Sequence, residues 1–190
     1  MSKLIVKPLG MTGVEITAPV PLSSPTANEE WHRIAADVLI YAFAGRAAWF
    51  IADDERATQW AFPDILTEQT EIRVDGALFR LAFSEACPAE ALASLVGTGD
   101  FHWDAVWVAA LSREDALRLE GLIRASAINA FEGVPRTDVE MMMPIGDGHG
   151  LWWINPRNDR RDVVAKLSDV TRSVGWSLDL ERLSDPVIGE

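Results

Sequence analysis

Phe101-His-Trp-Asp-Ala-Val-Trp-Val-Ala-Ala-Leu111 is followed by Ser112-Arg-Glu-Asp115 and then by a mostly apolar segment reaching Phe131. Residues 105–111 are apolar on both parities. A strand with one buried face would alternate, so this run predicts a central strand covered on both sides. Ser112 suits the cap of the helix that follows, with Glu114 and Asp115 where the helix dipole favours negative charge. Ala116, Leu119, Ile123, Ala127 and Ala130 recur at helical spacing, and Glu114–Arg118 and Glu120–Arg124 are i,i+4 pairs in the favourable order. Gly133 and Pro135 end the helix.

Working outward, the upstream chain supplies partners for that strand. Residues 3–7 and 14–17 are β-prone runs around Gly10 and Gly13, expected as a hairpin at a sheet edge. Residues 19–25 hold three prolines, which excludes helix there. Thr26-Ala-Asn-Glu29 has the capping-box pattern, followed by a stripe of Trp31, Ile34, Ala35, Val38, Leu39, Ala42 and Phe43 ending near Gly45. Residues 47–52 read as a strand that runs into Asp53-Asp54-Glu55. Residues 71–83 form an alternating hairpin about Asp75-Gly76, and Pro88 to Val96 a short helix started by proline.

Downstream, 139–143 and 151–155 read as paired strands joined by a turn at Asp147-Gly-His-Gly150. Asn158 is the expected cap of a last helix with Val163, Leu167, Val170 and Val174 inward and Arg160, Arg161, Lys166 and Arg172 making it locally basic. Trp176 to Leu180 is a short final strand. The order of elements predicts an α+β fold, a mainly antiparallel sheet packed against three main helices. The organisation is a single domain over 1–190, with an arm and proline-rich connector at 1–25 and a core at 26–182.

Composition narrows the class. A chain of 190 residues with 48% apolar content supports one sizeable core. The single Cys87 leaves no intramolecular disulfide and suits a reducing compartment. Lys7 and Pro8 interrupt any leader-like apolar start, and the longest apolar region, 38–52, is broken by Arg46 and too short to span a bilayer. The expectation is a cytoplasmic protein without membrane attachment.

The net charge is −12, and residues 26–104 hold 14 acids and 5 bases, a balance of −9. Such a surface repels phosphates, which argues against nucleic acid, and it attracts a basic protein. The plainer account of the charge is solubility. Eight Trp against one Tyr form a second anomaly. Tryptophan favours both cores and interface centres, and one to three of the eight are expected to be exposed.

Candidate chemistry is sparse. Asp100, His102 and Asp104 alternate along a strand and share a face, so a carboxylate-flanked histidine could act as a base or a ligand. Equally, they are the solvated start of a strand whose later part is buried. Residues 146–150 resemble a phosphate loop, but a strand follows where a helix N-terminus is needed, so His149 is read as an exposed turn residue. Met141 and Met143 face one way and Met142 the other, while Trp152 and Trp153 divide between faces. Cys87, beside Glu85 and Glu90, is read as structural. No nucleophile elbow, Walker pattern or paired zinc motif is present, and no cofactor or metal is expected.

Size, acidity, tryptophan content and the lack of a catalytic motif suit a module that neutralises or escorts a basic partner. Bacterial immunity proteins, which inhibit a toxin by binding it, share this profile, as do acidic secretion chaperones. The element order over 28–174 is broadly similar to the small chaperones of secreted effectors, a likeness of topology that rests on no motif. Of the two, the immunity reading is preferred, because the chain looks well closed. The partner-binding set is then Asp53, Asp54, Glu55, Trp60, Asp100 and Asp104, with Trp60 as aromatic anchor. A small enzyme using Asp100, His102 and Asp104 is the alternative. The sequence does not specify an oligomeric state.

Overall fold

A computed structural model describes residues 2–19, 22, 24–53, 65–97, 106–132, 137–146 and 148–181, with side chains described outside 126–132. Among the described residues nine strands form one sheet, β1 (Lys3–Leu9), β2 (Gly13–Thr17), β3 (Ala48–Asp53), β4 (Glu68–Val74), β5 (Ala77–Ser84), β6 (Val106–Ala109), β7 (Met141–Ile145), β8 (Gly150–Ile154) and β9 (Ser177–Leu180), in spatial order β4-β5-β3-β6-β7-β8-β2-β1-β9. All neighbours are antiparallel except β1 and β9, which run parallel. The described residues also form four α-helices that pack on it, α1 (Pro25–Phe43), α2 (Ala89–Gly97), α3 (Leu117–Glu132) and α4 (Arg160–Ser173). The expected α+β class therefore holds, with four helices rather than three. The short α2 is a full member of the packing because it buries Ala91, Leu92, Leu95 and Val96.

The interior reading of 105–111 is borne out where it is described. Val106, Trp107, Val108 and Ala109 are all buried, and β6 lies between β3 and β7. Alternation sends Val106 and Val108 to one core and Trp107 and Ala109 to the other. The first core receives α1, α2 and α4, and the second receives α3 through Leu119, Leu122 and Ile123. The same parity holds in β7, where Met142 joins the first core and Met141 and Met143 the second. Trp153 is fully buried in the first core, whereas Trp152 is half-buried against the second and donates to Glu15.

The Asp75-Gly76 hairpin forms as expected. Both residues have positive φ, 53° and 90°, which a two-residue turn between twisted strands requires. Several helix ends differ from expectation. Ser24, not Thr26, caps α1 by accepting from Ala27 N, with Pro25 at the first helical position. Asp159, not Asn158, caps α4 by accepting from Asp162 N, and Asn158 instead donates to the Tyr41 hydroxyl. Ser112 accepts from Asp115 N but opens a 3₁₀ turn at Glu114–Ala116, so α3 starts later. That shift moves Arg118 onto Asp138 rather than Glu114, while Glu120 and Arg124 pair as expected. Leu117 is left 95% exposed.

The N-terminal hairpin is not at an edge. β2 pairs with β8 and β1 with β9, so Leu4, Val6, Val14 and Ile16 are core residues. His149 is half-buried rather than exposed, because its carbonyl accepts from Ala18 N and Trp31 donates to the carbonyl of Gly148 beside it. Of the tryptophans among the described residues, Trp31, Trp49, Trp107, Trp153 and Trp176 are buried and Trp152 is half-buried, so none is exposed.

Candidate functional site

The acidic segment meets the structure at the β4–β5–β3 end of the sheet. β4 is an edge strand, and Glu68, Gln69, Thr70, Glu71 and Arg73 along it are exposed. Charged side chains on an edge discourage adventitious strand pairing, and among the described residues no strand pairs with the outer side of β4. Asp53 closes β3 on the same side of the sheet, in register with Phe79 of β5, which in turn faces Ile72 of β4.

These acids do not stand alone. Arg113, just ahead of α3, bonds Glu68, lies 3.5 Å from Glu85 and stacks 5.0 Å over the Phe83 ring. Arg124 on α3 holds Asp75 and, at 2.8 Å, Glu120, while Arg80 lies 3.5 Å from Glu71. Hydrogen bonding to Glu68 pushes the Arg113 guanidinium above its ordinary range, and Glu120 and then Asp75 do the same for Arg124. The acidity counted along 26–104 is thus partly compensated by arginines from beyond residue 110. The pairs are exposed and screened by solvent and add little to stability, so a cationic partner can readily replace the arginines.

Of the partner-binding set, Asp53 is the described member, half-buried at the end of β3. Asp54, Glu55, Trp60, Asp100 and Asp104, and the alternative centre through His102, lie outside the described residues. Among the described residues no group of three or more His, Cys, Asp or Glu could hold a metal ion. No helix among them is long and apolar enough to cross a membrane. Cys87 is 1% exposed, and burial pushes its thiol up to about 12, the chemistry of a structural residue.

Two features escaped the sequence. Glu140, 6% exposed, accepts from Arg46 and from the indole of Trp153 at 3.0 Å, so one carboxylate ties α1, β7 and β8 together. No local pattern marks it, since its partner is 94 residues away. The second is a groove of about 900 Å³ beside α4, lined by Met11, Arg160, Arg161, Val164, Ala165 and Leu180 among others. The basic character of α4 was the available signal for it.

Comparison with protein-family models, with curated proteins and with solved structures finds no match to this chain.

Proposed function

We propose that this chain is a protein-binding module of the immunity type, which neutralises a basic toxin or effector by docking it against the acidic end of the sheet. What supports the reading is β4, the last strand of the sheet among the described residues, where four consecutive residues, Glu68 to Glu71, are exposed. A cationic surface would be steered there by charge, and its dissociation would be governed by desolvated contacts. Asp53 with Asp54 and Glu55, Asp100 with Asp104, and Trp60 as anchor complete the proposed contact set.

The test begins with recovery of the partner from the native host and continues with surface binding kinetics at two salt concentrations. Association should slow as salt rises, because exposed charges are screened beyond roughly 8–10 Å. Charge reversal at Asp53 and Asp54 should slow association, whereas Trp60→Ala should hasten dissociation. Salt-independent association, with both variants binding like the parent, would refute the proposal.

A further inference from the structure

The outer row of α3 adjoins the acidic end of the sheet. Leu119, Leu122 and Ile123 turn inward to the second core, so Leu117, Gly121 and Arg124 stand in line on the opposite side of the helix. α3 lies alongside β4, because Arg113 ahead of it bonds Glu68 at the start of the strand and Arg124 bonds Asp75 just past its end. On the other flank of the helix Arg118 bonds Asp138 at 2.5 Å. One face therefore runs from β4 across α3 to residues 137–139.

The middle of that face is apolar and uneven. Leu117 is 95% exposed. One turn on, Gly121 stands inside the helix although glycine is a poor helix former, and a methyl in its place would meet nothing among the described residues within 4 Å. Packing within the chain thus gives no reason for a glycine there. Beside it lies a hollow of about 550 Å³, lined by Leu122, Ala125 and Val139 and by the Arg118–Asp138 pair. The surround is acidic. Glu68, Glu85, Asp138, Asp75 and Glu120 share Arg113, Arg118 and Arg124 between them, and exposed Glu114 pairs with no cation among the described residues.

We infer that the outer face of α3 is the apolar centre of the partner contact, and that the partner is a basic protein which seats an apolar side chain in the hollow at Gly121, against Leu117. Its lysines and arginines then take up the surrounding carboxylates, in place of arginines held only by exposed pairs. The inference rests on the docking of a basic partner at the acidic end and adds the residues that hold it there. An apolar centre within a charged surround is the arrangement by which contacts exclude water. A second copy of this chain would instead bring one excess of acid against another, which like charges oppose.

The experiment uses the full chain and two oligolysine nonapeptides, one with leucine and one with serine at the centre. Binding is read by calorimetry, and its location by the Leu117 methyl resonances. The leucine peptide should move those resonances and bind about tenfold more tightly, as expected for a leucine buried in part. Gly121→Gln, which fills the hollow from an exposed position, and Leu117→Ser should each erase the difference between the peptides while leaving the serine peptide bound as before. Equal binding of both peptides by the parent chain, or a preference that survives both substitutions, would overturn the inference and leave the acidic-end reading standing. Binding of neither peptide would overturn both. A parent chain that sediments as a dimer, and as a monomer after Leu117→Ser, would assign the face to a second copy and overturn the inference as well.

Discussion

Arg46 donates to the Glu140 carboxylate at 2.5 Å while its own stem lies against the end of α1, where it also donates to the Ala42 carbonyl. The pair joins the turn after α1 to the start of β7, and the Trp153 indole satisfies the other carboxylate oxygen. Glu140 is 5% and Arg46 23% exposed at the side chain, so removing either leaves a charge largely cut off from water. Arg46→Met should therefore cost about 3 kcal/mol, near the low end for a broken buried pair because the arginine retains some solvent. Glu140→Gln should cost less, since it keeps an acceptor for Trp153. The double change Arg46→Met with Glu140→Leu should recover much of the loss, and urea denaturation of the four proteins decides it.

Trp107→Ala removes a side chain that is 7% exposed and lies with its ring centre 6.2 Å from that of Phe79. Large-to-small change in such a site should cost about 3–5 kcal/mol. An unchanged denaturation midpoint would contradict the interior position of β6.

Cys87 supplies a pH dependence of known sign. Its thiol titrates near 9.0 when exposed and about 12 in the fold, through burial. Between those values the unfolded chain has lost a proton that the native chain retains, so stability falls as pH rises. The contribution is intact below pH 9 and declines by about 1.4 kcal/mol per unit above it. Denaturation midpoints from pH 8 to 10.5, compared with Cys87→Ala, isolate this contribution, because the variant lacks it. Alkylation of the native thiol should be correspondingly slow.

Gly13→Ala tests the crossing of β1, β2 and β8. A methyl there would lie 2.8 Å from the Leu9 carbonyl oxygen and 2.9 Å from that of Trp153, both backbone atoms of paired strands. Neither can retreat without disturbing a ladder, so a loss of about 1–3 kcal/mol is expected. The same change at Gly97, where nothing among the described residues lies within 4 Å, should be far milder and serves as the control.

What was legible in the sequence is what short-range pattern encodes. The two-sided burial of β6, the stripe of α1 and the Asp75-Gly76 turn each follow from residues within one element. The order of the strands does not, because β2 reaches β8 and β1 reaches β9 through pairings that no neighbouring residue announces. The helix starts show the same limit at smaller scale. Ser24 with Pro25 and Thr26 with Glu29 are both sound caps, and the geometry of the incoming chain selects between them. For the candidate site, counting acids along 26–104 found the charged end of the sheet but missed Arg113 and Arg124, which fold back onto it from α3 and its lead-in.

The parallel ladder between β1 and β9 also sets a timetable. Lys3 and its partner Asp179 are 176 positions apart, and β2 must wait for β8 before its outer edge is covered. At roughly 5–20 residues per second, a ribosome leaves the β1–β2 hairpin without either neighbour for on the order of ten seconds or more. During that interval Leu4, Val6, Val14 and Ile16 lack the cover of α4, which also belongs to the late part of the chain. Lys7 and Pro8 stand on the strand exposed longest, where a charge and a missing donor blunt pairing with other nascent chains. Completion of the sheet is therefore a late event, and refolding of the released protein should be slow in proportion to that long-range closure.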